Sequence, residues 1–134
     1  MLQVVKIAYN LWRGVHISSY VDGKNITIGK GTKLTNHGLY INTINGVVLG
    51  DNVYFGPGVK IISANHKLHN VKEHTKTREI RIGNNTWLEA DCIILPGVHI
   101  GNNCIIGAGA IVSRDVPDDS LVVGNRETTV LRYR

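Results

Sequence analysis

Cysteine is almost absent from this chain of 134 residues, which holds only Cys92 and Cys104. Both sit within apolar repeats, so they read as buried free thiols and not as parts of a disulfide framework. Long hydrophobic runs are missing too. No segment reaches the ~18 apolar residues of a membrane span, because the first apolar stretch, Leu2 to Leu11, is broken by Gln3, Lys6 and Asn10. That stretch also lacks a small-residue cleavage site and is not read as a signal peptide, so a cytoplasmic protein is expected. Charged residues make up 19% of the chain, with a formal net charge of +5. Lys and Arg are scattered, with no aromatic motif between them, which leaves no footprint for nucleic acid. The basic residues late in the chain suit attraction of a phosphorylated small molecule. With 43% hydrophobic residues, the composition is that of one folded domain, 1–134.

What is present is a period of six. Ile82, Leu88, Ile94, Ile100, Ile106 and Val112 recur at every sixth position, and the fifth position of each unit carries Thr86, Cys92, Val98, Cys104, Ala110 and Val116. Both sets are expected to face inward. One helix would repeat its apolar positions at about 3.6 residues and a hairpin sheet at two, so neither fits. Three units make a turn of 18 residues, and Gly83-Asn84-Asn85 recurs 18 positions later as Gly101-Asn102-Asn103. The pattern is that of a triangular solenoid whose corners fall at Gly and Asn, as in Leu49-Gly50-Asp51-Asn52 and Phe55-Gly56-Pro57-Gly58.

Breaks in the period mark loops. Units begin at Leu49, Phe55 and Ile61, and the pattern resumes at Ile82, fifteen residues late. The excursion, 66–80, is polar and rich in histidine (His66, His69, His74), and a long loop on a rigid frame is a natural seat of function. From Gly29 to Gly50 the spacing is 21, three more than one turn, which places a smaller bulge near Asn36 to Asn45. Residues 1–25 show no sixfold phase and read as an N-terminal cap, in which Val4, Ile7, Ala8 and Leu11 suit a short helix. The period fades after Val116-Pro117, so 118–134 reads as a C-terminal cap, a turn followed by a strand or short helix.

Ile82-Gly83-Asn84-Asn85-Thr86-Trp87-Leu88, Ile94-Leu95-Pro96-Gly97-Val98-His99-Ile100-Gly101, Ile106 to Val112 with Ser113-Arg114-Asp115-Val116-Pro117, and Val122-Val123-Gly124-Asn125 resemble the hexapeptide-repeat acyltransferases. The similarity covers roughly residues 26–125 and is greatest to the branch of galactoside, maltose and polysaccharide O-acetyltransferases. The resemblance implies an all-β fold, a left-handed parallel β-helix, assembled as a homotrimer with active sites between neighbouring subunits. It implies transfer of an acetyl group from acetyl-CoA to a hydroxyl of a sugar, without a metal.

By the same resemblance His66, in Ser63-Ala64-Asn65-His66, stands where the branch has its catalytic histidine. An imidazole of ordinary pKa about 6.5 suits removal of a proton from the attacking hydroxyl. A thioester is already activated, so no serine or cysteine nucleophile is needed, and Cys92 and Cys104 stay core residues. Ala90 and Ala108, 18 apart, match positions whose backbone contacts the arm of CoA; Ser113 and Arg114 match a pair near its nucleotide end. Trp87 matches an aromatic beside the acceptor cleft, and Asn42 an asparagine that positions the acceptor. The chain departs from the family at Glu89, where glycine is common, and at Asn125-Arg126-Glu127-Thr128, where Arg126 stands in for a missing lysine.

Other readings remain open from the residues. An amino-sugar N-acetyltransferase would use the same His66. A γ-type carbonic anhydrase shares the solenoid and holds zinc with three histidines, for which His69 and His74 have a suggestive spacing, although they fall off the coil register. A non-catalytic solenoid is the third, without the regular outward threonine array that an ice-binding face would need.

Overall fold

A six-residue unit has room for a strand of two or three residues and one corner. The computed structural model describes residues 14–124, and every regular element among them is a strand. Three parallel faces stack along one axis. The first holds Tyr20–Asp22, Tyr40–Asn42, Lys60–Ile62, Ile93–Ile94 and Ile111–Val112. The second holds Ile26–Ile28, Val47–Leu49, Ile80–Ile82 and His99–Ile100, and the third Tyr54–Phe55, Trp87–Leu88, Ile105–Ile106 and Leu121–Val122. The chain visits them in that order, so the solid is a triangular prism, the parallel β-helix that the period implies. No helix among the described residues is long and apolar enough to cross a membrane.

Every residue of the two periodic sets is buried. Ile82, Ile94 and Ile106 fill the prism from the strands, and Thr86, Cys92, Val98, Cys104 and Ala110 fill it just ahead of them. Thr86 is the polar member of this set, and its hydroxyl donates to Gly101 O at 3.1 Å.

The repeated Gly-Asn-Asn has two separate jobs at the edge between the second and third faces. Its first asparagine ties coil to coil: Asp51 N–H donates to Asn84 Oδ1 at 2.8 Å, Asn84 N–H to Asn102 Oδ1 at 2.8 Å, and Asn102 N–H to Asp118 Oδ1 at 2.7 Å. Its second asparagine takes the left-handed conformation that closes the corner, with φ 54° at Asn85 and 56° at Asn103. The glycine is required by close approach, since a Cβ on Gly83 would lie 2.5 Å from the carbonyl carbon of Gly101.

Several boundaries differ from those the period suggests. The solenoid starts earlier than residue 25: Tyr20–Asp22 pairs in register with Tyr40–Asn42, and Val15 is buried with His16 N–H bonded to Leu34 O. Early corners are longer, Ile28 pairing with Leu49 and Ile41 with Ile61, which hides the sixfold phase. Ile80 is not part of the excursion. It is fully buried and pairs with Val47, two residues ahead of Ile82, so it is an inward residue of the resumed coil.

At the far end the period shortens instead of fading. Val116 bridges to Ile100 and Val122 pairs with Ile106, each 16 residues on, so Val116 takes a strand position and not a fifth position. Two residues have been lost between Val112 and Val116, and the chain then completes another third-face strand at Leu121–Val122. The proposed N-terminal helix around Val4, Ile7, Ala8 and Leu11, and the chain from Asn125 onward, lie outside the described residues.

Replacing Ile94, a fully buried side chain in the middle of the stack, with alanine should cost about 2–5 kcal/mol, read as a lower midpoint in urea unfolding. Cys92 and Cys104 are free and buried, and burial pushes the Cys92 thiol up to about 12. Both thiols should therefore resist a thiol reagent at pH 8 in the folded protein and react at once in denaturant; rapid labelling of the folded protein would contradict the packing described.

Candidate active site

The fifteen-residue excursion leaves the prism at the edge between the first and second faces. It folds as an antiparallel hairpin, His66–Lys67 against Asn70–His74, with His66 opposite His74. Lys67 pairs with Glu73 across it, and Asn70 Nδ2 also donates to Glu73, at 3.1 Å. The His66 ring lies 4.6 Å from that of His74, tilted by 35°. His66 is exposed, and among the described residues neither of its ring nitrogens is engaged in a hydrogen bond. Either nitrogen can therefore meet a hydroxyl arriving from solvent.

What fixes the hairpin is Asn45, a residue that the sequence reading named only as the border of a bulge. Its Nδ2 reaches the outgoing chain at Ser63 O (2.9 Å) and the returning chain at Thr75 O (2.8 Å) and Thr77 Oγ1 (3.2 Å). Its backbone N–H donates to Ser63 Oγ at 3.0 Å. Just above, Thr75 N–H closes on Asn65 O at 2.7 Å. The lengthened corner before Val47 is what brings Asn45 under the base of the hairpin. A second tie lies further along the returning chain: Arg78 holds both Asp115 oxygens, at 2.6 and 2.7 Å, and donates from Nε to Gly97 O. The His99 N–H and then Arg78 hold the Asp115 carboxyl below the ordinary aspartate range.

Asn42 lies on the same edge. It is 7% exposed, and its Oδ1 accepts from Ser63 Oγ at 2.9 Å and Ile44 N–H at 3.3 Å. Its Nδ2 has no acceptor among the described residues. A buried amide with unused donors is costly unless a ligand or water takes them up. Ser113 and Arg114 stand on this edge too, several coils away, both exposed and without hydrogen bond or ion pair among the described residues.

The remaining candidates are elsewhere. Trp87 points outward from the third face, 49% exposed, in a row with Tyr54, Ile105 and Leu121. Ala90 and Ala108 occupy successive corners between the third and first faces. One strand of the first face, Ile93–Ile94, separates that edge from the edge of His66, so a single chain does not bring the two groups together. Arg126 lies outside the described residues. His69 sits at the hairpin turn, and among the described residues no three His, Cys, Asp or Glu side chains gather as metal ligands.

A family model described as bacterial transferase hexapeptide (six repeats) matches residues 79–114. The galactoside O-acetyltransferase of Escherichia coli is 39% identical over 107 residues, 76% of this chain and 51% of its own length. Among solved structures, a maltose O-acetyltransferase from Clostridium difficile superposes with a TM-score of 0.57 at 30% identity, covering 76% of this chain and 56% of that one. A hexapeptide-repeat acetyltransferase from Vibrio cholerae, complexed with acetyl coenzyme A, gives 0.56 at 29%, covering 85% and 67%. The chain spans about half the length of the curated relatives it matches first. The repeat, the three faces and the ordered corners agree with these comparisons: residues 79–114 carry the bacterial transferase hexapeptide repeat, and the chain is a parallel β-helix similar to the galactoside and maltose O-acetyltransferases.

Proposed function

We propose that this protein transfers the acetyl group of acetyl-CoA to a hydroxyl of a sugar or polysaccharide precursor, directly and with His66 as general base. The observation that carries the reading is that an exposed, hairpin-held imidazole and a buried amide with unused donors, Asn42, lie on one edge of the prism. The acceptor hydroxyl attacks the thioester carbonyl while an imidazole nitrogen of His66 takes its proton. The C–S bond then breaks, and the departing thiolate takes that proton back. In this reading Asn42 Nδ2 donates to an acceptor oxygen and so orients it, which its lack of an acceptor among the described residues supports. Relatives at 36–39% identity are named galactoside O-acetyltransferases, which supports a sugar acceptor.

Acetyl-CoA is the donor in this reading. Its arm runs past the Ala90 and Ala108 corners, with Trp87 on the flanking face and Ser113, Arg114 and Arg126 toward the nucleotide end. The two groups of residues sit on different edges, so the reading includes a homotrimer in which one subunit's His66 edge faces a neighbour's alanine corners. The exposed apolar row Tyr54, Trp87, Ile105 and Leu121 supports burial of that face in the assembly. A cytoplasmic setting belongs to the same reading, supported by the two free thiols.

Thiol release from acetyl-CoA, assayed with galactosides, maltose and amino sugars, tests the transfer. The wild-type protein should show acceptor-dependent release and His66→Ala should lose about 10²–10⁴-fold of it with little change in CoA affinity; equal rates in the two proteins would remove His66 from the mechanism. Preference for an amino sugar would shift the acceptor from oxygen to nitrogen. Asn45→Asp keeps the shape of the side chain but turns its donor into an acceptor facing Ser63 O and Thr75 O. It should lower kcat by about tenfold or more, in keeping with the cost of misplacing a reacting group, and speed hydrogen exchange at the base of the hairpin. Unchanged exchange there would show that Asn45 does not hold it.

A further inference from the structure

The corner between the third and first faces is a tight turn built three times over. Gly56-Pro57-Gly58, Glu89-Ala90-Asp91 and Gly107-Ala108-Gly109 stack on one another, each with a left-handed third residue: φ 71° at Gly58, 58° at Asp91 and 69° at Gly109. The N–H of that third residue bonds to the coil next to it, Asp91 to Pro57 O and Gly109 to Ala90 O, both at 2.9 Å. The N–H of the middle residue is the one left over. Pro57 has none, so the column presents two, from Ala90 and Ala108. No acceptor among the described residues meets the Ala90 N–H. The Ala108 N–H, in contrast, donates to Glu89 Oε2 at 3.0 Å.

Glu89 stands in the column between Gly56 and Gly107, and a Cβ built on Gly107 would lie 3.9 Å from Glu89 Oε2, an ordinary van der Waals distance, so the carboxylate rests beside that bare backbone. Glu89 as a residue is of intermediate exposure, its bond to the Ala108 amide is open to solvent, and its carboxylate has no cation partner among the described residues. Its bond to the Ala108 amide is the single hydrogen bond its side chain makes there.

We propose that Glu89 is a built-in competitor for the donor site: its carboxylate fills the Ala108 N–H that an acyl-carrier carbonyl would otherwise accept from, so the arm binds only by displacing it. The proposal rests on the reading of Ala90 and Ala108 as contacts of the CoA arm. It makes Glu89 a determinant of donor affinity acting through a hydrogen bond, and not through repulsion of the CoA phosphates.

Calorimetric titration with CoA and with pantetheine, which carries the amide arm without the nucleotide phosphates, distinguishes these cases. Glu89→Ala should tighten both ligands by about tenfold, the weight of one exchanged hydrogen bond. Glu89→Gln, which keeps an uncharged acceptor in place, should gain no more than about threefold. If the wild-type protein binds CoA and Glu89→Ala binds no tighter, the competitor is overturned while the transferase reading stands. Equal gains from Ala and Gln with CoA, and none with pantetheine, would overturn it in favour of charge repulsion. Absence of CoA binding by all three proteins would overturn the donor-site reading and the competitor with it.

Discussion

Each coil must come to rest on the one before it, because the backbone of a two-residue strand has no partner except the strand above or below. That demand fixes nearly everything else. Where coils are 18 residues apart, Ile82 lies on Ile100 and Leu88 on Ile106, and the inward positions become columns that tolerate only apolar or self-satisfied side chains. The corners come too close for side chains at Gly83 and at Gly101. Chemistry is left with three kinds of place: an insertion, an outward row on a face, or a backbone group at a corner. The candidate site draws on all three, with His66 on the insertion, Trp87 on a face and the Ala90 and Ala108 amides at corners.

The same demand explains what the sequence disclosed. From Ile82 to Val112 the corners are uniform, so the inward columns could be read directly. Among strands that both precede the excursion the paired spacings are 20 or 21, and the first coil, from Val15 on, passes for a cap because its corners carry extra residues. At the other end two residues are missing, which makes a continuing coil look like a fading one. The excursion shows as a break in phase, but the chain returns earlier than the period suggests: Ile80 is inward at the fifth position, as Val98 is, and here that position already belongs to the strand. None of these boundaries could be fixed by period alone, because a corner can gain or lose residues without disturbing the strands that flank it.

The site was legible as residue types and not as relations. A histidine at the mouth of a polar insertion is visible in the sequence. The ring of His74 beside it, the amide of Asn45 beneath it and the Arg78–Asp115 pair across the corner are all contacts between residues far apart in the chain. Nor could spacing reveal that Asn42 and Ala90 stand on different edges of the prism, since edge assignment depends on how many corners lie between them and how long each is. The one signal for Asn45 was the three-residue excess between Gly29 and Gly50, which lengthens the corner that presents it.

Rigidity in the hairpin and openness at its tip follow from the same construction. The base is tied at Ser63, Thr75 and Thr77 by one amide, which spans both chains of the hairpin as a single donor group, so neither chain can shift without the other. Arg78 fixes the return further along, through a backbone carbonyl and a carboxylate on two later corners. Beyond the base, Leu68 and Val71 project into solvent with 91% and 71% of their surface free. An apolar tip on a braced stalk is out of place on an isolated chain, where those side chains gain nothing from water. It suits a loop whose far end meets another surface, and in the proposed trimer that surface belongs to the neighbour whose alanine corners complete the site. Under the proposed mechanism the bracing would have a purpose: it would hold His66 at a fixed height on its own prism, so that docking of the tip would set the distance from the imidazole to a thioester carried by the other subunit.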